Sequence, residues 1–157
     1  MNIDTMTAAD VMSRVVITAR PEDSPLIAWE LMRRGGVRHL PVVDSRLRVL
    51  GVLTREDVAT HWSGGPAEQS TDQVRRLLTG RGCPHVSPWT SVARVAAAML
   101  DFGVDVLPVI GPSESLEGLV TSTDVLRAVA GRLEPPPGHT GIAPGRGEGP
   151  ASGIDQC

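Results

Sequence analysis

The apolar positions of this chain run through a helical rhythm and two short strand-like bursts, and then the whole pattern occurs again. The rhythm is clearest in the second half, where Val92, Val95, Ala96, Met99 and Leu100 fall at i, i+3, i+4, i+7 and i+8. That spacing puts all five on one face of a helix. Ser91 stands at the N-cap position, and Gly103 follows where a left-handed C-terminal cap belongs. Two apolar runs come next, DVLPVI (105–110) and LEGLV (116–120), with a polar turn between them. Both are too short for helices, so they read as strands. A further helix is predicted from Thr121, running into TDVLRAV. The first half follows the same order: Ser24-Pro25 opens a helix, with Pro25 tolerated at its first position, and Gly36 ends it. The strands RHLPVV (38–43) and VLGVL (49–53) follow, and then a helix from Thr54.

The two halves align without a gap at an offset of 67 residues, and eleven positions between Pro21 and Asp57 are identical to their counterparts. They include Pro21/Pro88, Met32/Met99, Leu40/Leu107, Pro41/Pro108, Gly51/Gly118, Thr54/Thr121 and Asp57/Asp124. Such self-similarity at a fixed period marks a duplicated supersecondary unit. The expected organisation is repeat 1 at 8–63, a linker with a connecting helix at 64–79, repeat 2 at 80–133 and a tail at 134–157. The linker opens on the Gly/Pro-bearing stretch GGPAEQS, and Val74, Leu77 and Leu78 at helical spacing predict the helix after it. The tail is dense in Pro and Gly, and its composition predicts disorder.

At this point the sequence resembles a known family. DVMS (10–13), GGVRHLPVVD (35–44) and the duplicated G-h-h-T-x-x-D (h apolar), here GVLTRED (51–57) and GLVTSTD (118–124), are similar to the cystathionine-β-synthase-type (CBS) domain. The pair resembles a stand-alone Bateman module over about residues 8–131. The resemblance implies an α/β fold of tandem β-α-β-β-α units, each with a mixed sheet, packed with pseudo-twofold symmetry. It further implies two clefts at the junction, taking adenosine-containing ligands such as AMP, ADP, ATP or S-adenosylmethionine. No cofactor is required; the adenosyl compound is a regulatory ligand. Family members often pair into disc-shaped dimers.

The chemistry of G-h-h-T-x-x-D supports two readings. A glycine at the strand end permits close approach. The threonine starts a helix, where its hydroxyl and the free N–H groups can meet a phosphate. The aspartate offers two acceptor oxygens, which match two vicinal ribose hydroxyls. Thr-x-x-Asp is equally a helix N-terminus in which the hydroxyl caps the backbone and the acid favours the dipole. In the family the aspartate binds ribose. Family geometry sets Thr121 and Asp124 opposite Ser13, Ile17, Val37, Arg38 and His39, and sets Thr54 and Asp57 opposite Thr79, Pro84, Val104, Asp105 and Val106. Asp105 stands where repeat 1 has Arg38, and an acid there repels a phosphate. The cleft with Asp124 is therefore expected to be the better nucleotide site.

Composition narrows the function further. The chain has 157 residues, 41% of them hydrophobic, and a formal net charge of -3, so a core can form and no polyanionic partner is implied. Aromatics are 3% of the chain, leaving few rings to stack on bases, and nucleic-acid binding is not expected. Met32 and Met99 read as core fillers, and Trp29, Trp62 and Trp89 as packing or interface anchors. His39, His61, His85 and His139 show no i, i+4 ligand pair, so no metal site is expected. Cys83 and Cys157 lack C-x-x-C spacing and read as free thiols in a reducing cytoplasm. The N-terminus lacks signal-peptide regions, no apolar run approaches a membrane span, and a cytoplasmic location is expected. No P-loop, H-E-x-x-H or G-x-S-x-G occurs, so an enzyme is disfavoured and no catalytic residues are assigned.

The leading expectation is a non-catalytic regulator that senses an adenosyl ligand and acts on an effector protein in trans. The alternative is a structural dimerisation module with vestigial clefts. A homodimer is expected in either case, because Val125, Leu126 and Val129 form an apolar stripe that needs covering.

Overall fold

The structure is a computed structural model that describes residues 2–14, 17–60 and 72–132. The linker stretch 64–71 and the 134–157 segment lie outside the described residues, as do Trp62, His61 and His139. The elements in chain order are a short 3-10 turn at Ile3–Thr5, α1 (Ala8–Val11), α2 (Pro25–Gly35), β1 (His39–Val43), β2 (Val49–Thr54), α3 (Arg55–Thr60), α4 (Arg75–Leu78), α5 (Val92–Phe102), β3 (Val106–Ile110), β4 (Leu116–Thr121) and α6 (Ser122–Val129).

The described residues divide into two compact units that cut across the repeat boundaries. One contains 17–60 and 72–83; the other contains 2–14 and 84–132. The opening residues of each repeat, together with the segment just before them, are what cross over. Residues 72–78 dock beside α2, where the N–H of Val74 donates to the Asp23 carbonyl at 2.8 Å and that of Arg75 to Pro21 at 3.2 Å. Residues 8–14 dock beside α5 in the second unit, with Ala8 N–H on the Thr90 carbonyl and Ala9 N–H on Pro88, both at 2.8 Å. The helix predicted on Val74, Leu77 and Leu78 is α4, and all three side chains are buried. α1 is its counterpart 67 residues earlier.

Within the first unit, Ser24 caps α2 by accepting from Ile27 N–H at 3.2 Å, Pro25 takes the first turn, and Gly36 ends the helix at φ 62°. In the second unit, Ser91 and Gly103 (φ 64°) do the same for α5. The faces turned inward are also one repeat apart: Pro25, Ala28 and Met32 on α2, and Val92, Val95 and Met99 on α5. Met32 and Met99 are core residues, as the helical spacing predicts.

Each unit holds one antiparallel pair, β1 with β2 and β3 with β4, and each pair carries a register shift at the same place, after Val42 or Val109. The strand that opens the unit in the family is reduced to a single parallel bridge, Ala19 to Val42 and Val86 to Val109. That bridge makes the sheet mixed. Pro41 and Pro108 have no N–H to give, but their carbonyls accept from Ala19 and Val86 at 2.9 and 3.1 Å, so the prolines serve the bridge as acceptors. Leu40, Val42, Leu53 and Val58 are fully buried in the first unit, and Leu107, Val109 and Val120 in the second.

Two sequence expectations are corrected. Gly51 and Gly118 lie inside β2 and β4, not at their ends. Close approach still explains them: a Cβ on Gly51 would stand 2.8 Å from Leu78 Cδ2, and one on Gly118 would stand 2.5 Å from the Ser13 carbonyl oxygen. Cys83 is disulfide-bonded, which overturns the free-thiol reading. The spacing rule that suggested free thiols detects local pairs and says nothing about distant ones. Cys157 lies outside the described residues.

Candidate ligand-binding half-sites

Both G-h-h-T-x-x-D motifs fold into the same local structure. The strand ends at the threonine, and the helix starts at the next residue. At the first motif, Thr54 N–H donates to Asp57 Oδ2 at 2.8 Å and Asp57 N–H donates to Thr54 Oγ1 at 3.1 Å. At the second, Thr121 N–H donates to Asp124 Oδ2 at 2.8 Å and Asp124 N–H donates to Thr121 Oγ1 at 3.3 Å. The Thr121 hydroxyl also donates to Asp124 Oδ2, at 3.0 Å. These are reciprocal capping boxes, which satisfy backbone donors the helix cannot pair. The capping alternative for Thr-x-x-Asp is therefore realised at both sites. It leaves room for a ligand role, because a carboxylate offers about four acceptor positions and the cap uses mainly one oxygen.

The two aspartates differ in their ionic partners. Asp124 is nine-tenths buried, and its Oδ1 lies 3.6 Å from Arg127 one helical turn on. Asp57 is more open, and its Oδ2 takes an ion pair from Arg81 Nη1 at 3.0 Å. Arg81 comes from the segment after α4. The sequence reading missed it because nothing in the motif points 24 residues downstream; its repeat counterpart Arg14 supplied the only clue.

The remaining candidates are distributed as follows. In the second unit, Ser13 is exposed, but its backbone pairs both ways with Leu119 of β4, two residues before Thr121. Pro84 and Val104 are half-buried there, Val106 is buried at the start of β3, and Asp105 is exposed, its carbonyl accepting from Ser122 N–H at 2.9 Å. In the first unit, Ile17 is a core residue and Val37 packs against that core. His39 is half-buried opposite Thr54 in the β1–β2 register. Arg38 is exposed, with Nη2 3.8 Å from Glu56 Oε1, and its carbonyl accepts from Arg55 N–H. Thr79 is exposed and donates to the Arg75 carbonyl at 3.2 Å. The residues expected at each cleft are thus divided between the two compact units. Among the described residues no group of three or more His, Cys, Asp or Glu side chains could hold a metal ion, and no helix is long and apolar enough to cross a membrane.

Comparison with known proteins agrees with this architecture. Inosine-5'-monophosphate dehydrogenase of Korarchaeum cryptofilum is 35% identical over 118 residues, covering 75% of this chain and 23% of that protein. The chain spans about a quarter of the length of most of the curated relatives it matches, and 46% of protein MJ1225 of Methanocaldococcus jannaschii. Among solved structures, the CBS domain pair of protein MJ0100, in complex with 5'-methylthioadenosine and S-adenosyl-L-methionine, superposes with a TM-score of 0.69 at 25% identity, over 82% of this chain and 98% of that one. CBSX2 in complex with AMP gives a TM-score of 0.67 at 24% identity, over 80% of this chain and 96% of that one. The family model for the CBS domain matches twice, at residues 8–64 and 72–131, and the chain belongs to the CBS domain family as a tandem pair.

Proposed function

We propose that this chain is a non-catalytic sensor that binds an adenosine-containing ligand in clefts between its two CBS repeats and passes the occupancy to an effector protein in trans. The observation that carries the reading is the pair of Thr-x-x-Asp capping boxes. Each holds a carboxylate at a helix start, where it can accept from two ribose hydroxyls while helix N–H groups lie close by for a phosphate. MJ0100 with 5'-methylthioadenosine and S-adenosylmethionine, and CBSX2 with AMP, support the ligand class. The ranking of the clefts, with Asp124 the stronger, rests on the contrast between Arg38 and Asp105. A ligand that binds only the folded state raises its melting temperature. At a hundredfold excess over Kd the gain is about 2.7 kcal/mol, or about 5–10 °C for a chain of this size. Thermal melts with AMP, ADP, ATP and S-adenosylmethionine measure it; no shift with any of the four defeats the proposal in favour of a structural module.

We also propose a homodimer. Leu126 and Val129 on α6 are about two-thirds exposed, and Leu100 on α5 is 83% exposed. Val125, which the sequence placed in the same stripe, packs against the core instead. Exposed apolar side chains of this size favour burial against a second copy. Light scattering at micromolar concentration is expected to return twice the 16.6 kDa chain mass, and Leu126→Glu to halve it. A monomer mass for the unmodified chain rejects the dimer.

A further inference from the structure

The ion pair between Arg81 and Asp57 joins the one carboxylate that a ribose needs at the first half-site to a cation from a different segment. Both residues lie in the same compact unit. Arg81 is held near by its own surroundings. Its N–H donates to the Leu78 carbonyl at 3.1 Å and its Nη1 to the Leu77 carbonyl at 3.5 Å, while the Leu78 side chain packs on Gly51 of β2, three residues before Thr54. The other repeat is built differently. Arg14, the counterpart of Arg81, donates to the Ala9 carbonyl at 3.4 Å, and Asp124 is paired within its own helix by Arg127.

We infer that Arg81 is a displaceable latch on Asp57 and makes this half-site select adenosyl ligands that carry an anionic 5' group over neutral ones. The inference rests on the ribose role proposed above for Asp57. The guanidinium takes the acceptor position that the cap leaves open on Oδ2, so a ribose that bridges both carboxylate oxygens must displace it. Binding a neutral nucleoside breaks the pair and leaves the guanidinium with its long bond to the Leu77 carbonyl and no anion beside it. Binding a nucleotide breaks it too, but the freed guanidinium then has a phosphate to pair with, and guanidinium matches phosphate in a two-pronged geometry. The pair is partly open to solvent, with side chains 42% and 23% exposed, so its displacement is within reach of an ordinary ligand.

Calorimetry with adenosine and AMP tests this, using Asp124→Ala protein so that the Asp57 half-site is the one read. Arg81→Gln in that background is expected to tighten adenosine and to leave AMP the same or weaker. The preference for AMP should fall by about tenfold, the size expected when one charge-assisted contact is lost. Arg81→Lys keeps a cation and should retain most of the preference, and Arg14→Gln should leave it unchanged. An unchanged preference in Arg81→Gln, or an equal loss in Arg14→Gln, overturns the latch. So does a background protein that binds neither compound while the unmodified chain binds both. If the unmodified chain binds neither, the ribose reading falls, and the latch with it.

Discussion

Replacing Asp124 by alanine is expected to weaken adenine-nucleotide binding by about tenfold or more, and replacing Asp57 by less. Each change removes a carboxylate that can accept from two ribose hydroxyls, and a hydrogen bond to a charged group is worth about 1.5–3 kcal/mol. The two sites differ for two reasons. Asp57 is engaged more closely, by Arg81 at 3.0 Å against 3.6 Å for Arg127 on Asp124, so more of its grip is spent before any ligand arrives. On the proposed cleft assignment, Arg38 and His39 would also support a phosphate beside Asp124, and Asp105 would oppose one beside Asp57. Arg38→Asp should accordingly imitate the poorer site, and Asp105→Arg should improve it. Asp124 also closes a capping box, whose loss costs about 1 kcal/mol of stability, so melting is measured beside calorimetry. Equal affinity for the unmodified chain and Asp124→Ala removes the ribose assignment, and a larger effect from Asp57→Ala reverses the ranking.

Gly118→Ala should destabilise the chain by about 2–3 kcal/mol, the upper part of the range for overpacking, and Gly51→Ala by clearly less. The added Cβ at Gly118 would meet a backbone oxygen, that of Ser13, as well as the Met12 sulfur at 2.8 Å. The oxygen cannot move alone, because Ser13 is tied to Leu119 by two backbone hydrogen bonds of 2.9 and 3.1 Å. Relief requires the 2–14 segment to lift from β4. At Gly51 the obstacle is the far end of the Leu78 side chain, which can rotate away. The expected fall in melting temperature for Gly118→Ala is about 4–12 °C. A second change separates the two causes. Leu78→Ala should relieve Gly51→Ala, whereas Met12→Ala should not rescue Gly118→Ala. Equal losses at the two glycines, or full rescue by Met12→Ala, contradict the backbone explanation.

The duplication, the order of elements and the core faces were legible in the sequence because each rests on local chemistry. Ser24 and Ser91 cap, Gly36 and Gly103 terminate, and Met32 and Met99 face inward because 3.6-residue periodicity decides which side of a helix is apolar. The Thr-x-x-Asp motifs were legible as helix starts for the same reason: their hydrogen bonds span three residues. Tertiary structure alone decided the rest. Which strand receives α1 or α4 depends on the shape left by Gly118 and Gly51, and no periodicity records the neighbour that fills it. Val125 went to the core and Leu126 to the surface through packing between elements. Cys83 found a partner where spacing showed none. The pairing of Asp57 with Arg81, against Asp124 with Arg127, depends on where a segment 24 residues away comes to rest. Two nearly identical motifs thus acquire different electrostatics, because a side chain's charge partners are set by distance through space and a sequence lists only distance along the chain.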